Sequence, residues 1–250
     1  MGDNGRSDAN PWLAGVDGCR AGWIVTFIRA SGDELRIRVV PHFAEILGAA
    51  ENPAIIAVDI PIGLPDRTGY GGRVAENAIR PLLGARQSAV FSVPSRAALA
   101  QTDYREACTI ALATSDPPRK ISKQLFMIAP KIREVDACLR ENAAAASRTF
   151  EVHPEAAFWR LNGERPLTEP KKVKGRPYEP GLALRRDLLA AAGLPPAALA
   201  AAPPPGAAAD DLLDALACAA IARRIRAGTA KPFPDPPPAD RYGLRMAIWA

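Results

Sequence analysis

Four aspartates stand at positions where their carboxylates could do chemistry. Asp17 closes the apolar stretch LAGV, and Asp59 closes the run AIIAV. Asp211 and Asp214 lie three residues apart in DDLLDALACAA. Carboxylates can act as general acids or bases, and their oxygens are the ligands that hard divalent cations prefer. These aspartates are therefore the first candidates for a catalytic or metal site.

Asp214 is the hardest of the four to explain as a structural residue. If residues 211–224 form a helix, Asp214 shares a face with Cys218 and Ile221, where core residues usually point. Aspartate is a poor helix former, and burying its charge without a partner is costly. The position predicts a functional side chain whose partner is a proton, a cationic side chain or a metal ion.

Three apolar runs with turn residues between them open the chain. The turns lie at 18–21 and 31–33, which favours antiparallel strands joined as a meander. A short helix follows, and then a β-branched run, AIIAVDI, of the kind found in strands buried on both faces. The predicted elements are strands over 12–17, 22–30, 34–41 and 54–60, and a helix over 43–50.

The remainder of the chain is predicted to be mainly helical. Residues 61–147 form a helical insertion after the fourth strand, and residues 195–208 form a Pro- and Ala-rich linker. We expect one domain over residues 1–250, with a disordered N-terminus over 1–11. The other predicted elements are helices over 97–114, 122–140, 155–161, 181–192 and 211–224, a strand over 148–154, and a closing edge strand over 243–250.

This order of elements predicts the α/β ribonuclease H-like fold, a mixed five-stranded sheet of three antiparallel meander strands plus parallel strands, flanked by helices. The first and fourth strands would be parallel neighbours, so Asp17 and Asp59 would share the sheet edge where α/β folds bind ligands. The last helix would point Asp211 and Asp214 at that edge. We expect the carboxylates of Asp17, Asp59 and Asp214 to converge within reach of a metal ion, with Asp211 at the margin. Their repulsion calls for protons, cationic side chains or divalent metal.

Several motifs resemble the DUF429 family, described as predicted nucleases of the ribonuclease H-like superfamily. The resemblance covers about residues 13–249, through GVDGCRAGW, DIPIGLP, ARQSAVFSVPSR, ISKQLFMIAPKIREVD, FEVHPE and DDLLDALACAA. The last motif is also similar to the final-helix pattern of Holliday-junction resolvases, in which such acids bind metal. The resemblance implies metal-ligand roles for Asp17, Asp59, Asp211 and Asp214. Resolvases usually carry Glu where this chain has Asp59, which leaves the ligand set open.

Each aspartate also has a structural interpretation. Asp17 and Asp59 could cap the turns that follow their strands. The last helix needs a residue to cap its first amide groups, and aspartate is favoured there. We assign capping to Asp210 and a functional role to Asp211.

The motif FEVHPE contains three further titratable residues. Glu155 is either a catalytic residue or the first-turn acid of a helix that Pro154 begins, where a negative charge is favourable. The role of Glu151 is equally open. His153 could relay protons to an attacking water, or its hydrogen bonds could be satisfied beneath the sheet.

Cationic residues are the candidates for binding phosphate. Arginines occur at intervals in the insertion from Arg67 onward, and the loop KKVKGR over 171–176 carries four cations in six positions. Such side chains suit phosphate oxygens, and residues at a helix N-terminus either bind phosphate or cap the helix. Alternatively, all of these side chains are exposed to water on the surface and bind no phosphate. The predicted substrate-binding residues are Arg80, Arg86, Arg96, Ser122, Gln124, Lys171 and Lys172.

Composition narrows the class of protein. The chain has 250 residues, 48% of them hydrophobic, and a net charge of +5, which favours polyanionic partners. It has no run of about 18 apolar residues and no apolar N-terminal stretch, so we expect a cytoplasmic protein without a membrane partner. The 4 cysteines form no CxxC pair, which argues against structural zinc.

Together these features predict a nuclease that hydrolyses phosphodiester bonds with Mg²⁺ or Mn²⁺ held by carboxylates. The partner would be nucleic acid, with DNA or RNA and the oligomeric state left open. One alternative is a catalytically inactive nucleic-acid-binding module. Another is an actin-like or sugar-kinase-type phosphotransferase, which is disfavoured because the chain shows no duplicated half and no G-x-x-x-x-G-K-[ST] loop.

Overall fold

A five-stranded mixed sheet lies at the centre of the molecule. The computed structural model describes residues 9–250. The strands are β1 (Trp12–Cys19), β2 (Gly22–Arg29), β3 (Leu35–Val40), β4 (Ile55–Val58) and β5 (Thr149–Glu151). Their order across the sheet is β3-β2-β1-β4-β5, with β1 to β3 antiparallel and with β1, β4 and β5 paired in parallel. The predicted fold class is confirmed, and the sheet is consistent with the ribonuclease H-like description.

Helices cover both faces of the sheet, and two short hairpins complete the fold. The helices are α1 (Phe43–Leu47), α2 (Val74–Ile79), α3 (Arg96–Leu99), α4 (Tyr104–Ala113), α5 (Lys123–Glu141), α6 (Ala143–Arg148), α7 (Pro154–Leu161), α8 (Glu179–Ala191), α9 (Pro196–Leu199) and α10 (Ala209–Arg226), with a 3₁₀ segment over Arg80–Ala89. The hairpins pair β6 (Lys172–Val173) with β7 (Arg176–Pro177), and β8 (Pro232–Phe233) with β9 (Ile248–Trp249). No helix within residues 9–250 combines the length and apolar character needed to cross a membrane.

Alternation along the strands decides which side chains face the last helix. In β1, Leu13 and Cys19 pack in the core formed with α10, whereas Ala14 and Val16 pack in the core on the opposite face. In β4, Ala57 belongs to the α10 face. Because side chains alternate with a period of two, the acids two residues after Gly15 and Ala57 are directed to the α10 face.

Helix α10 lies unusually close to β1 at Gly15. A Cβ atom on Gly15 would lie 2.1 Å from the backbone nitrogen of Ala219 and 2.2 Å from the carbonyl oxygen of Ala215. Only glycine allows this approach, because any side chain would overlap the helix backbone. The contact sets the height of α10 over the sheet and thereby the position of Asp214.

Several predicted boundaries differ from the structure. The predicted helix over 97–114 is divided into α3 and α4, because the Asp103 carboxylate accepts hydrogen bonds from the first amides of α4 at 2.8 and 3.0 Å. The predicted linker over 195–208 contains α9. The C-terminal residues 243–250 supply β9, which pairs with β8 and not with the edge of the main sheet.

Two further predictions concern the hairpin and the N-terminus. The KKVKGR segment forms the β6–β7 hairpin and not an irregular loop. Of the predicted disordered segment, residues 1–8 lie outside the described residues. Next to them, the carbonyl of Pro11 accepts a hydrogen bond from the Ala30 amide at 2.9 Å, which fixes the chain at the start of β1.

Candidate active site

Asp17 and Asp59 lie side by side at the carboxyl edge of the sheet. Val16 pairs with Val58, and the ladder continues through a 2.9 Å hydrogen bond from the Asp59 amide to the Val16 carbonyl. Both acids face α10. Asp17 is buried, and its Oδ1 accepts from the Gly18 amide at 2.7 Å. The two predicted strand-end acids are thus neighbours on one face.

Lys171 is the partner of the mid-helix aspartate. Asp214 is 2% exposed on α10, and its Oδ2 accepts a hydrogen bond from the Lys171 ammonium, which comes from the segment just before the β6–β7 hairpin. The other oxygen, Oδ1, is buried and has no hydrogen-bond partner in the described part of the chain. Half of this carboxylate is therefore satisfied by an internal cation.

Burial and mutual repulsion make these acids weak. Burial raises the pKa of Asp17 well above its usual range, and the charges of Asp59 and Asp214 add to the shift. Burial likewise raises the pKa of Asp59 to about 6 and raises the pKa of Asp214 even though Lys171 opposes the shift. These directions follow from placing several carboxylates in a low-dielectric site with too few cations.

Lys171 responds to the same three acids. Burial lowers the pKa of its ammonium, but the carboxylates of Asp214 and Asp17 outweigh burial, so the pKa lies above its usual value. Lys171 is therefore charged at neutral pH and supplies one positive charge to the acid cluster. We use the name acid cluster for Asp17, Asp59 and Asp214.

The carboxylates of Asp210 and Asp211 make contacts other than the predicted ones. The Asp211 carboxylate reaches back to accept from the Ala208 amide at 2.9 Å, as the third residue of a helix often does. Asp210 instead pairs with Lys172 at 2.6 Å and lies 3.8 Å from the Lys171 ammonium. The assignment of capping to Asp210 is wrong, because its carboxylate faces the two lysines and not the end of the helix. The predicted catalytic role of Asp211 stays a prediction.

Glu155 is buried at the start of α7 beside the acid cluster. Its Oε1 accepts from Arg185 at 2.5 Å, and Oε2 has no hydrogen-bond partner among the described residues. The charge of Glu155 contributes to the raised pKa values of Asp59 and Asp214, which places it near both. Glu155 is thus an inward-facing acid as well as a first-turn residue.

His153 lies at the N-terminus of α7. Its Nδ1 accepts from the Glu155 amide at 3.2 Å, and its Nε2 lies 3.3 Å from the carbonyl oxygen of Ala89. Because Nδ1 accepts, the proton of the neutral ring belongs on Nε2. This capping contact accounts for the position of the ring structurally.

Arg73 forms a buried ion cluster that the sequence pattern did not indicate. Its guanidinium is 3% exposed and pairs with Glu151 at 2.6 Å and with Glu76 at 2.6 Å. The same guanidinium donates to the carbonyl of Ile62 at 2.7 Å. Two carboxylates around one guanidinium carry excess negative charge. Arginine spacing in the insertion gave no signal for this pairing.

The predicted phosphate-binding residues have varied surroundings. Arg80 donates to the carbonyls of Gly71 at 2.6 Å and Val90 at 3.0 Å, and Arg96 pairs with Asp136 and Asp240. These contacts explain both arginines structurally. Arg86 has a buried Nε that makes no hydrogen bond within residues 9–250. Ser122 caps α5 by accepting from the Leu125 amide at 3.2 Å, and Gln124 is exposed on the first turn of that helix. The last two candidates, Lys171 and Lys172, lie beside the aspartates of α10. Their substrate roles stay predictions.

A cavity of about 280 Å³ opens beside the acid cluster. Asp59, His153, Glu155 and Lys171 border it on the cluster side. Apolar side chains, among them Val90, Phe91 and Leu125, also line it. A substrate group could occupy this space while another part of the same substrate contacts the acids.

The expected metal-bridging arrangement is not formed in this structure. The acids share one face and one edge as predicted, but in the described chain no three carboxylate, imidazole or thiolate groups are spaced to hold a metal ion. The Lys171 ammonium lies on Asp214 at this point. The donor set itself, carboxylate oxygens with one buried oxygen unpaired, suits a hard divalent cation.

Comparison with known proteins gives one match. The model of a family described as "protein of unknown function (DUF429)" matches residues 15–239, which is most of the chain. Neither the curated proteins nor the solved structures contain a significant match. The match agrees with the resemblance of the motifs and supplies no activity.

Proposed function

The chain belongs to the DUF429 family, which is described as of unknown function, and from its acid cluster we propose a divalent-metal-dependent nuclease. The observation that carries the proposal is the concentration of buried carboxylates at one sheet edge. Asp17 and Asp214 are buried, and Asp59 lines the cavity. Repulsion between such carboxylates lowers the stability of the fold unless bound cations neutralise it.

The balance of charge favours an additional cation. Lys171 is one ammonium against three carboxylates in the acid cluster, and Arg185 is already paired with Glu155. Oδ1 of Asp214 accepts no hydrogen bond from any described residue, so it is available as a ligand for a cation. A phosphate group would be repelled by this site without further positive charge.

Asp17, Asp59 and Asp214 would hold Mg²⁺ or Mn²⁺. When bound, the ion lowers the pKa of a water molecule and offsets charge on the phosphate. Lys171 has to leave Oδ2 of Asp214, and its ammonium would then be free to contact a phosphate oxygen. The catalytic role of Glu155 stays a prediction, because Oε1 of its carboxylate is already paired with Arg185.

The proposed substrate is nucleic acid, DNA or RNA. A net charge of +5 favours a polyanion in general, and Arg86, Lys171 and Lys172 are the cationic side chains that we propose contact its phosphates. Phosphate contacts of this kind bind most nucleic acids with little sequence preference. We also propose that the protein acts in the cytoplasm.

The test is metal-dependent cleavage. Wild-type protein is incubated with single- and double-stranded DNA and RNA in Mg²⁺, Mn²⁺ or EDTA, next to Asp59→Asn and the control Asp187→Asn, an exposed aspartate on α8. We expect cleavage by wild type and by the control in metal only, and loss of cleavage in Asp59→Asn. Cleavage that persists in EDTA, or that Asp59→Asn retains, would contradict the proposal.

One observation favours a second candidate function, an inactive binding module. The Lys171 ammonium already neutralises Asp214, as a structural ion pair would. That function predicts nucleic-acid binding that weakens with salt, together with no cleavage and no stabilisation by Mg²⁺. Thermal unfolding with and without Mg²⁺ separates the two candidates.

A further inference from the structure

The cavity beside Asp59 has a size and lining that restrict its ligand. Its volume of about 280 Å³ lies at the low end of ligand pockets, near roughly 300 Å³. Part of the lining is apolar. The apolar lining residues include Val90, Phe91, Val93, Leu125 and Ile248. A cavity of this volume with an apolar part to its lining has room for one flat ring system.

The charges around the cavity exclude a phosphate from its interior. Asp59, Glu76, Glu151 and Glu155 line it, and the guanidinium of Arg73 is fully engaged with Glu76 and Glu151. An anion entering the cavity would meet more carboxylates than free cations. The part of a substrate that enters must be uncharged, while its phosphate stays at the Lys171 side.

Glu155 supplies a hydrogen-bond acceptor at this cavity. The side chain lines the cavity, is 7% exposed, and has Oε2 without a partner in the described chain. The terminal torsion of glutamate is broad, so a small rotation brings Oε2 to the cavity surface. A buried acceptor left unpaired is costly, so a ligand that donates a hydrogen bond there is favoured over one that only accepts.

We infer that the cavity receives one unpaired nucleobase that bears an exocyclic amino group, from the strand whose phosphate lies at the acid cluster. This inference rests on the proposed nuclease function and specifies its substrate. The amino group of cytosine, adenine or guanine donates to Glu155, and the ring lies against Phe91 and Val93. Because the base must leave its stack and its pairing partner, the substrate is single-stranded or locally unpaired.

The first experiment measures nucleoside binding without metal, by saturation-transfer NMR or calorimetry. Uridine has a carbonyl oxygen in place of the amino group of cytidine, and its one base donor, N3–H, lies between two carbonyl oxygens that the Glu155 carboxylate repels. We therefore expect wild type to bind cytidine at least ~10-fold more tightly than uridine. Glu155→Gln keeps the size of the side chain and can donate as well as accept, so it should remove this preference. Equal affinity of wild type for the two nucleosides, or no binding of either, would overturn the inference.

The second experiment fills the cavity. Ala89→Phe and Val90→Phe place a ring at two positions of the lining, and Ser88→Phe is the control, because Ser88 is exposed and outside the lining. We expect at least ~10-fold weaker cytidine binding in a lining variant that retains the wild-type circular dichroism spectrum, and wild-type binding in Ser88→Phe. Unchanged binding in both folded lining variants would overturn the inference.

Cleavage assays separate this inference from the proposed function. If wild type cleaves and the lining variants lower cleavage of single strands and of duplex equally, the base subsite is wrong and the nuclease stands. If cytidine binds with the expected preference but no metal supports cleavage, the subsite stands and the nuclease proposal fails. Oligo(dC) cleaved faster than oligo(dT) would support both.

Discussion

The Lys171 ammonium donates a hydrogen bond to Oδ2 of Asp214, 43 residues further along the chain. Lys171 comes from the arm that leads into the β6–β7 hairpin, and Asp214 from the buried face of α10. The negative charges of Asp17 and Asp59 also help to raise the pKa of Lys171. A cationic side chain of the protein itself therefore lies where a metal-dependent enzyme would need a cation.

The variant Asp214→Asn tests whether Asp214 serves in catalysis or in stabilising the fold. The pKa of Asp214 is raised by burial in spite of Lys171, so its ionised form costs folding free energy relative to a neutral side chain. We expect the free energy of unfolding to be equal or higher in the variant, with metal-dependent cleavage reduced by about 100-fold or more. Urea unfolding and cleavage assays measure the two effects. A clearly destabilised variant with normal activity per folded molecule would show that Asp214 is structural.

Lys171→Met tests the internal cation. Without the ammonium, the acid cluster repels itself, so the metal-free protein should lose about 1–3 kcal/mol of stability at pH 8. Because Mg²⁺ no longer competes with a tethered cation, it should stabilise the variant more than wild type. The measurement is the melting temperature as a function of Mg²⁺ concentration. Lys172→Met is the control, since within residues 9–250 the ion-pair partner of Lys172 is Asp210 and not a member of the acid cluster. Identical Mg²⁺ dependence in all three proteins would contradict the prediction.

Stability should depend on pH through Asp59. Burial raises its pKa to about 6, above the value of roughly 3.9 in an unfolded chain, so the folded state binds the proton more tightly. The resulting stability is present below about pH 4 and is lost as pH rises through about 6. We expect Asp59→Asn to gain about 1–3 kcal/mol relative to wild type between pH 4 and pH 8 in EDTA.

Urea titrations at several pH values measure this difference, with Asp187→Asn as the control. Mg²⁺ should reduce the gain at pH 8, because it stabilises the ionised carboxylates of wild type. A difference between wild type and Asp59→Asn that does not change with pH would show that Asp59 ionises normally.

Gly15→Ala should displace α10. The new Cβ atom would lie 2.1 Å from the backbone of Ala219, so the helix must move away from β1 and carry Asp214 with it. We expect a loss of at least ~1–3 kcal/mol of stability and a smaller stabilisation by Mg²⁺. Gly69→Ala is the control, because nothing lies within 4 Å of its new Cβ. Equal melting temperatures for the two variants would refute the close approach.

Arg80 and Arg86 should respond differently to alanine. Arg80 supports the insertion through the carbonyls of Gly71 and Val90, so Arg80→Ala should lose about 1–3 kcal/mol of stability. If Arg86 binds phosphate, Arg86→Ala should weaken nucleic-acid binding and lower the salt slope by about 0.9. Binding isotherms across a KCl series measure the slope. If the salt slope is unchanged in Arg86→Ala, Arg86 does not contact phosphate.

Local physical rules determined the sheet and the position of its acids. The β-branched run over 54–60 is apolar on both sides, which predicts a buried central strand, and Ile55–Val58 is β4. The period of two along β1 and β4 then places Asp17 and Asp59 on one face at one edge. These features depend on residues close together in the sequence, and they could be predicted from it.

Only the tertiary structure decided how the charges are paired. Lys171 with Asp214, Arg73 with Glu151 and Arg185 with Glu155 join residues 43, 78 and 30 positions apart. No local spacing encodes such pairs, because they depend on where separate helices and hairpins pack. The contacts of Asp210 have the same origin, because the two lysines that it faces come from a distant segment of the chain. The sequence by itself therefore determined where the acids lie along the strands and the last helix, and tertiary packing decided which cations neutralise them.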